Sequence, residues 1–244
     1  MTKITQECIV IETMKKMGGF ATFGQLNANL DFSEWKTKTP EASVRRIVQN
    51  GPFTRIRPGL WCLSDMASKV LKTLGLNSVD EKKKDNQVTD FDHSYMQGLL
   101  IQIGKLKNMT TYIPAQDKNR KYLGKTNLVE IADTTILPDF TYKSILKHAK
   151  TIDVIWFDNY RKMPQKFFEI EHSTDIRNSL RKFVELQDFR TQYFIVADNH
   201  RHRQYEDIIK ENSWRDIAEF CKFISYENVV KFYEASLRIK EYQF

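Results

Sequence analysis

Three carboxylates, Asp153, Glu169 and Glu171, are the residues of this sequence best suited to chemistry. Asp153 lies in the apolar segment TIDVIWF, residues 151–157; sixteen residues later Glu169 opens a Glu-x-Glu in FFEIEHS, residues 167–173. Aromatic and β-branched content predicts a strand for each segment. Strand side chains alternate, so Phe168 and Ile170 face one way, Glu169 and Glu171 the other. Asn159 and Pro164 mark a short loop between the strands, and such a hairpin brings Asp153 towards both glutamates. Converging carboxylates are what a hard divalent cation such as Mg²⁺ needs for phosphate chemistry. Charges in strands this apolar are costly without a cation or a partner. Without metal the cluster repels itself, which predicts a raised carboxyl pKa.

The elements that must position these groups follow from periodicity and breakers. Residues 94–107 predict a helix carrying Gln97, which faces either the site or DNA, and residues 109–113 a strand. The loop 114–127 holds Asp117, Asn119 and Arg120, expected to be solvated. Residues 141–149 predict a helix. Thr174 is the expected N-cap of a helix over 175–189, on which Arg177 and Arg181 lie one turn apart and suit phosphate contacts. The wholly apolar YFIVA, residues 193–197, predicts a buried strand of a parallel or mixed sheet. Helices over 203–211 and 227–240 flank a short strand at 221–225. His172 points to the opposite face from Glu171, in a supporting role.

The N-terminal 76 residues carry 11 Lys/Arg against 6 Asp/Glu, or +5 of the chain's +7. They predict helices over 4–17, closed by Gly18-Gly19, and over 23–29. A third starts at Thr39-Pro40-Glu41, with Thr39 as N-cap, and ends at Asn50-Gly51-Pro52. Residues 53–63, FTRIRPGLWCL, then form a hairpin about Pro58-Gly59. The polar stretch 77–92 reads as a linker, leaving a second domain over 93–244.

Sixteen Phe, ten Tyr and four Trp argue against disorder. A pI near 9.1 suits a polyanionic partner, nucleic acid before membrane. Three scattered cysteines without a CxxC pair exclude a disulfide framework or zinc ribbon. Glu7 and Glu12 interrupt any signal peptide, and no apolar run approaches the roughly 20 residues of a membrane span, so a cytoplasmic location is expected.

Three helices followed by a two-strand wing, with Phe53, Arg55 and Gly59-Leu60-Trp61-x-Leu63 in the wing, resemble winged-helix DNA-binding domains. The resemblance implies that the third helix enters the major groove with Arg45 and Arg46 exposed. Arg55 and Arg57 would reach phosphates or the minor groove from the wing.

The order helix, strand, strand with Asp153, strand with Glu169-x-Glu171, helix, apolar strand is similar to the PD-(D/E)XK nuclease core, over residues 94–199. The resemblance implies that Asp153 and Glu169 bind Mg²⁺, with Mn²⁺ as a substitute. Glu171 falls where the family usually has Lys, and there it would accept a proton or hold a second ion. Ile152 replaces the usual Pro, and a literal Pro138-Asp139 precedes a predicted helix instead of a strand. The expected architecture is α/β (α+β overall): a winged helix plus a restriction-endonuclease-like mixed sheet flanked by helices. The expected function is Mg²⁺-dependent hydrolysis of double-stranded DNA by a homodimer, as in type II or modification-dependent restriction enzymes. The competing reading is a catalytically inactive, nuclease-fold DNA-binding regulator, favoured by Glu171 at the Lys position.

Overall fold

The computed structural model describes residues 5–76, 86–189 and 191–241. The chain divides into two compact units between residues 83 and 84.

The first unit begins with α1 (Gln6–Lys16), whose first turn is capped by Thr5 Oγ1 accepting from the Cys8 N–H. Gly18 and Gly19, at φ 95° and 87°, turn the chain out of it. β1 (Phe20–Thr22) was not expected, being only three residues long. Thr22 then caps α2 (Phe23–Asn29) in a reciprocal box with Gln25. α3 (Pro40–Asn50) starts where expected, but Thr39 makes no side-chain capping bond; Pro40, with its fixed φ, sets the first turn instead. β2 (Phe53–Arg57) and β3 (Leu60–Leu63) pair antiparallel about Gly59 at φ 72°, and the sheet order is β1-β3-β2. A bulge between Arg55 and Arg57 breaks the expected alternation, so Phe53 and Ile56 are both buried. α4 (Ala67–Leu74) follows. The core gathers Val10 and Met14 of α1, Leu26 of α2, and Val44 and Val48 of α3.

The second unit opens with α5 (Asn86–Leu106), which begins within the stretch expected to be linker. Phe91 explains the extra turns: it is buried and stacks on Tyr95, which stacks in turn on Tyr122. The rest of that stretch, residues 77–85, lies outside the described residues. β4 (Met109–Tyr112) precedes a small hairpin of β5 (Lys121–Tyr122) and β6 (Thr126–Asn127), then α6 (Leu128–Ile131) and α7 (Lys143–Ala149). β7 (Val154–Asp158) and β8 (Pro164–Glu171) are the hairpin; α8 (Ile176–Val184), β9 (Gln192–Ala197), α9 (His202–Ile209), β10 (Cys221–Ser225) and α10 (Tyr226–Glu241) complete it. Pro164 starts a strand where a loop was expected, a position at which its missing N–H breaks no ladder. α8 stops at Val184, shorter than the expected 175–189.

The sheet runs β10-β9-β8-β7-β4, with β10, β9 and β8 parallel and β8, β7 and β4 antiparallel. This mixed sheet between helices is the α+β architecture expected. On one face Phe167, Ile155, Tyr193 and Ile195 pack against α7, α8 and α9. On the other, beneath α5 and α10, Phe168 stacks on Phe194 (5.0 Å between centroids) and meets Trp156 at a tilt (4.7 Å). Among the described residues no helix is long and apolar enough to cross a membrane.

Candidate active site

Alternation along β8 puts Glu169 and Glu171 on the face of Phe167, at the strand end where the packed core gives way to a cavity of about 270 Å³. Asp153 lies one residue before β7, not within the strand as expected. It is fixed across the hairpin, where the Ile170 N–H donates to Asp153 Oδ2 at 2.7 Å. All three carboxylates are buried, between 3 and 9 % exposed, and all three line the cavity.

α8 closes the cavity. Asp175, not Thr174, caps this helix, accepting from the Arg177 N–H. Its apolar stripe, Ile176, Leu180 and Phe183, is anchored in the core, and Ser179 on the same face meets the carboxylates. Ser179 Oγ lies 2.9 Å from Glu169 Oε2 and also bonds Glu171 Oε1. A hydroxyl has one proton to donate, so with both bonds made one carboxyl must itself be protonated. Thr174 donates to Glu171 Oε2, and the buried Arg201 guanidinium lies 4.0 Å from the same oxygen. Lys182 Nζ donates to Glu169 Oε2 at 2.7 Å and to the Thr151 carbonyl at 3.1 Å. Glu169 Oε1 is buried and has no hydrogen-bond partner among the described residues.

The electrostatics separate the three acids. Burial pushes the Glu169 carboxyl up, the Asp153 charge adds to this, and despite Lys182 and Ser179 it reaches about 8. Glu171 is likewise raised, chiefly by burial, with Ser179 and Arg201 opposing. Burial also acts upward on Asp153, but His93, the Ile170 N–H and Lys182 together outweigh it and hold it below its ordinary value.

A second group of potential ligands shares Asp153. His93 on α5 lies 3.4 Å from Asp153 Oδ1, and His93, Asp117 and Asp153 each offer an atom within 4.8 Å of the others. Asp117, expected to be solvated, is buried: the Gln97 amide donates to one oxygen (2.9 Å) and Arg120 pairs with the other (2.9 Å). Gln97 also donates to the Asp153 carbonyl, so it braces the site from within α5. Both Asp117 oxygens are engaged, and those of Asp153 meet the Ile170 N–H and His93, whereas Glu169 Oε1 is left open to a hard cation.

Other expected residues sit elsewhere. Arg177 pairs with Glu211 and Asp175, and Arg181 bonds Asn178 on its own helix. Neither is among the residues lining the cavity, whereas Lys182 is. His172 lines the cavity too, with its ring against the Tyr226 hydroxyl at 2.9 Å. In the first unit Arg46 and Arg55 are exposed, but Arg45, expected to be exposed, is half-buried over the Phe23 ring at 5.1 Å, and half-buried Arg57 donates to the Ile56 carbonyl. Sequence reasoning missed His93, which falls between the presumed linker and the helix expected over 94–107, and also Lys182 and Arg201.

Comparison with known families decides the class. Residues 74–242, more than half the chain, match the family described as type II restriction enzyme NmeDI C-terminal domain. This chain belongs to that family. Membership makes it a restriction-endonuclease-type domain, with DNA as its class of partner, and the carboxylate cavity lies wholly within the matched span. No curated protein and no solved structure matches the chain.

Proposed function

We propose that the protein is a Mg²⁺-dependent endodeoxyribonuclease of the PD-(D/E)XK kind, acting as a restriction enzyme, in which Asp153 and Glu169 hold the cation. The observation that carries this reading is the unpartnered, buried Glu169 Oε1 beside Asp153 in an open cavity. A buried carboxylate oxygen without a donor is destabilising unless a cation meets it. The donor set is oxygen, which fits Mg²⁺, and Mn²⁺ can replace it. When bound, a divalent cation neutralises charge developing on the phosphate and helps to orient the attacking water.

The chain's own residues do the rest. The Ile170 N–H fixes Asp153, and Ser179 with Lys182 fixes Glu169, so both ligands are positioned before substrate arrives. Glu171, with its raised pKa, takes the proton of the attacking water, and Arg201 balances its charge. Gln97 and His93 support Asp153 from α5. In the first unit the order α1, β1, α2, α3 and then a β2–β3 wing supports a winged helix over residues 1–76, which supplies affinity chiefly through the exposed Arg46 and Arg55. Cutting both strands with one site per chain calls for a two-fold homodimer.

The test is incubation of methylated and unmethylated plasmid with the protein in Mg²⁺ or EDTA. Discrete Mg²⁺-dependent fragments are expected, and the methylation comparison assigns the subclass. DNA bound but uncut in every condition would replace this reading with the inactive regulator.

A further inference from the structure

Among the described residues lining the carboxylate cavity, Lys182 is the one Lys or Arg. Its stem enters from the rim: the side chain is 30 % exposed, whereas the Glu169 side chain it meets is 4 % exposed. Its charge acts on Asp153, Glu169 and Glu171 alike, drawing each towards the ionised form. Two of the three ammonium donors are used, on Glu169 Oε2 and the Thr151 carbonyl.

We propose that Lys182 is a built-in counter-ion that stands in for the divalent cation while the site is empty of metal, and that it turns to a phosphate oxygen of the DNA once the metal takes Glu169. This rests on the reading of Asp153 and Glu169 as the cation site. The physical need is plain. Three buried carboxylates around one cavity repel each other unless a positive charge stands among them. A lysine suits an exchangeable role: it is a compact charge on a flexible stem, with no planar fork to lock it to one carboxylate. Besides the Thr151 carbonyl it holds one carboxylate oxygen, Glu169 Oε2, which leaves Oε1 open to the incoming ion. A cation drawing on Glu169 weakens the hold on the ammonium and leaves it at the cavity rim, where an anionic backbone would arrive. Lys182 would then be both a competitor of the metal and a partner of the substrate.

The two halves predict opposite effects of one substitution. Mg²⁺ is titrated by calorimetry into wild type, Lys182→Met and Lys182→Arg at about pH 9, so that the carboxylates are ionised. Single-turnover plasmid cleavage is measured beside it. Lys182→Met is expected to bind Mg²⁺ about tenfold more tightly, because a like charge is removed. Its cleavage is expected to fall about 100-fold. Lys182→Arg, which keeps the charge and adds a fork that grips the carboxylate, should bind Mg²⁺ no more tightly than wild type does. A fixed structural ion pair predicts no such split between tighter metal and slower cutting. Should Lys182→Met fold poorly, Lys182→Gln, neutral but able to bond Glu169, must show the same tightening. Wild-type Mg²⁺ uptake with no tightening in the neutral variants overturns the counter-ion alone. Absence of Mg²⁺ uptake by wild type overturns the cation site, and the counter-ion with it. Unchanged cleavage in Lys182→Met overturns the phosphate contact.

Discussion

A single hydroxyl, Ser179 Oγ, lies between Glu169 and Glu171, and this frames the chemistry at the residue scale. It implies that the metal-free site keeps a proton, in accord with the raised pKa of both glutamates. Linkage follows from the sign of the shift. Glu169 rises from an ordinary value of 4.5 to about 8, so the folded state holds a proton that the unfolded chain gives up. Its contribution to stability is full below about 4.5 and is lost as pH rises to about 8. Asp153 is lowered, so its contribution is lost only on acidification, below this window. The melting temperature in EDTA should therefore fall between those two pH values, and Glu169→Gln should flatten the fall. A melting temperature independent of pH there would contradict the assignment. Ser179→Ala leaves one buried carboxylate short of a donor and the other, protonated one short of an acceptor, and is expected to cost about 1–3 kcal/mol, measured by urea denaturation.

At the scale of elements, α5 is pressed close to its neighbours through two glycines. A Cβ at Gly98 would stand 2.1 Å from the Tyr122 ring, and one at Gly104 2.5 Å from Thr111 and 2.8 Å from Trp156. Helix propensity favours Ala over Gly by about 0.5–1 kcal/mol, but overpacking at these contacts costs about 1–3 kcal/mol, so Gly98→Ala should destabilise. It should also slow cleavage, because Gln97 and His93 ride on the same helix. A stabilised Gly98→Ala protein would mean that Tyr122 gives way freely.

Much of this level was legible in the sequence. An unbroken apolar run marked β9, strong punctuation at both ends marked α3, and period-two alternation put Glu169 and Glu171 on one face of β8. What failed has identifiable causes. The start of α5 is polar, and the burial of Phe91 against Tyr95 that favours helix there is a contact the apolar pattern does not display. Asp117 looked solvated because its partners, Gln97 and Arg120, lie 20 residues before it and 3 after it, in different elements. Both flanks of α8's apolar stripe are basic. Arg177 flanks one side and is drawn to Glu211, while Lys182 flanks the other beside Ser179. Helical spacing alone does not say which flank meets the carboxylates.

At the scale of the molecule, the family match covers residues 74–242 and leaves most of the first unit outside it. That unit's surplus of +5 lies in a fold with exposed Arg46 and Arg55. If these meet phosphates, Arg46→Ala and Arg55→Ala should each weaken DNA binding alike across sequences. Each should also reduce the slope of log affinity against log salt by about 0.9. Fluorescence anisotropy over a salt series measures this, and slopes equal to wild type would place the DNA elsewhere. The central claim is that Asp153 and Glu169 together hold the cation on which DNA cleavage depends. Single-turnover cleavage of plasmid in Mg²⁺ by wild type and by Glu169→Gln, with DNA binding checked in both, tests it most directly. The variant should bind DNA as wild type does, and its cleavage should fall by about 10³ or more. Cleavage by Glu169→Gln at the wild-type rate would contradict it.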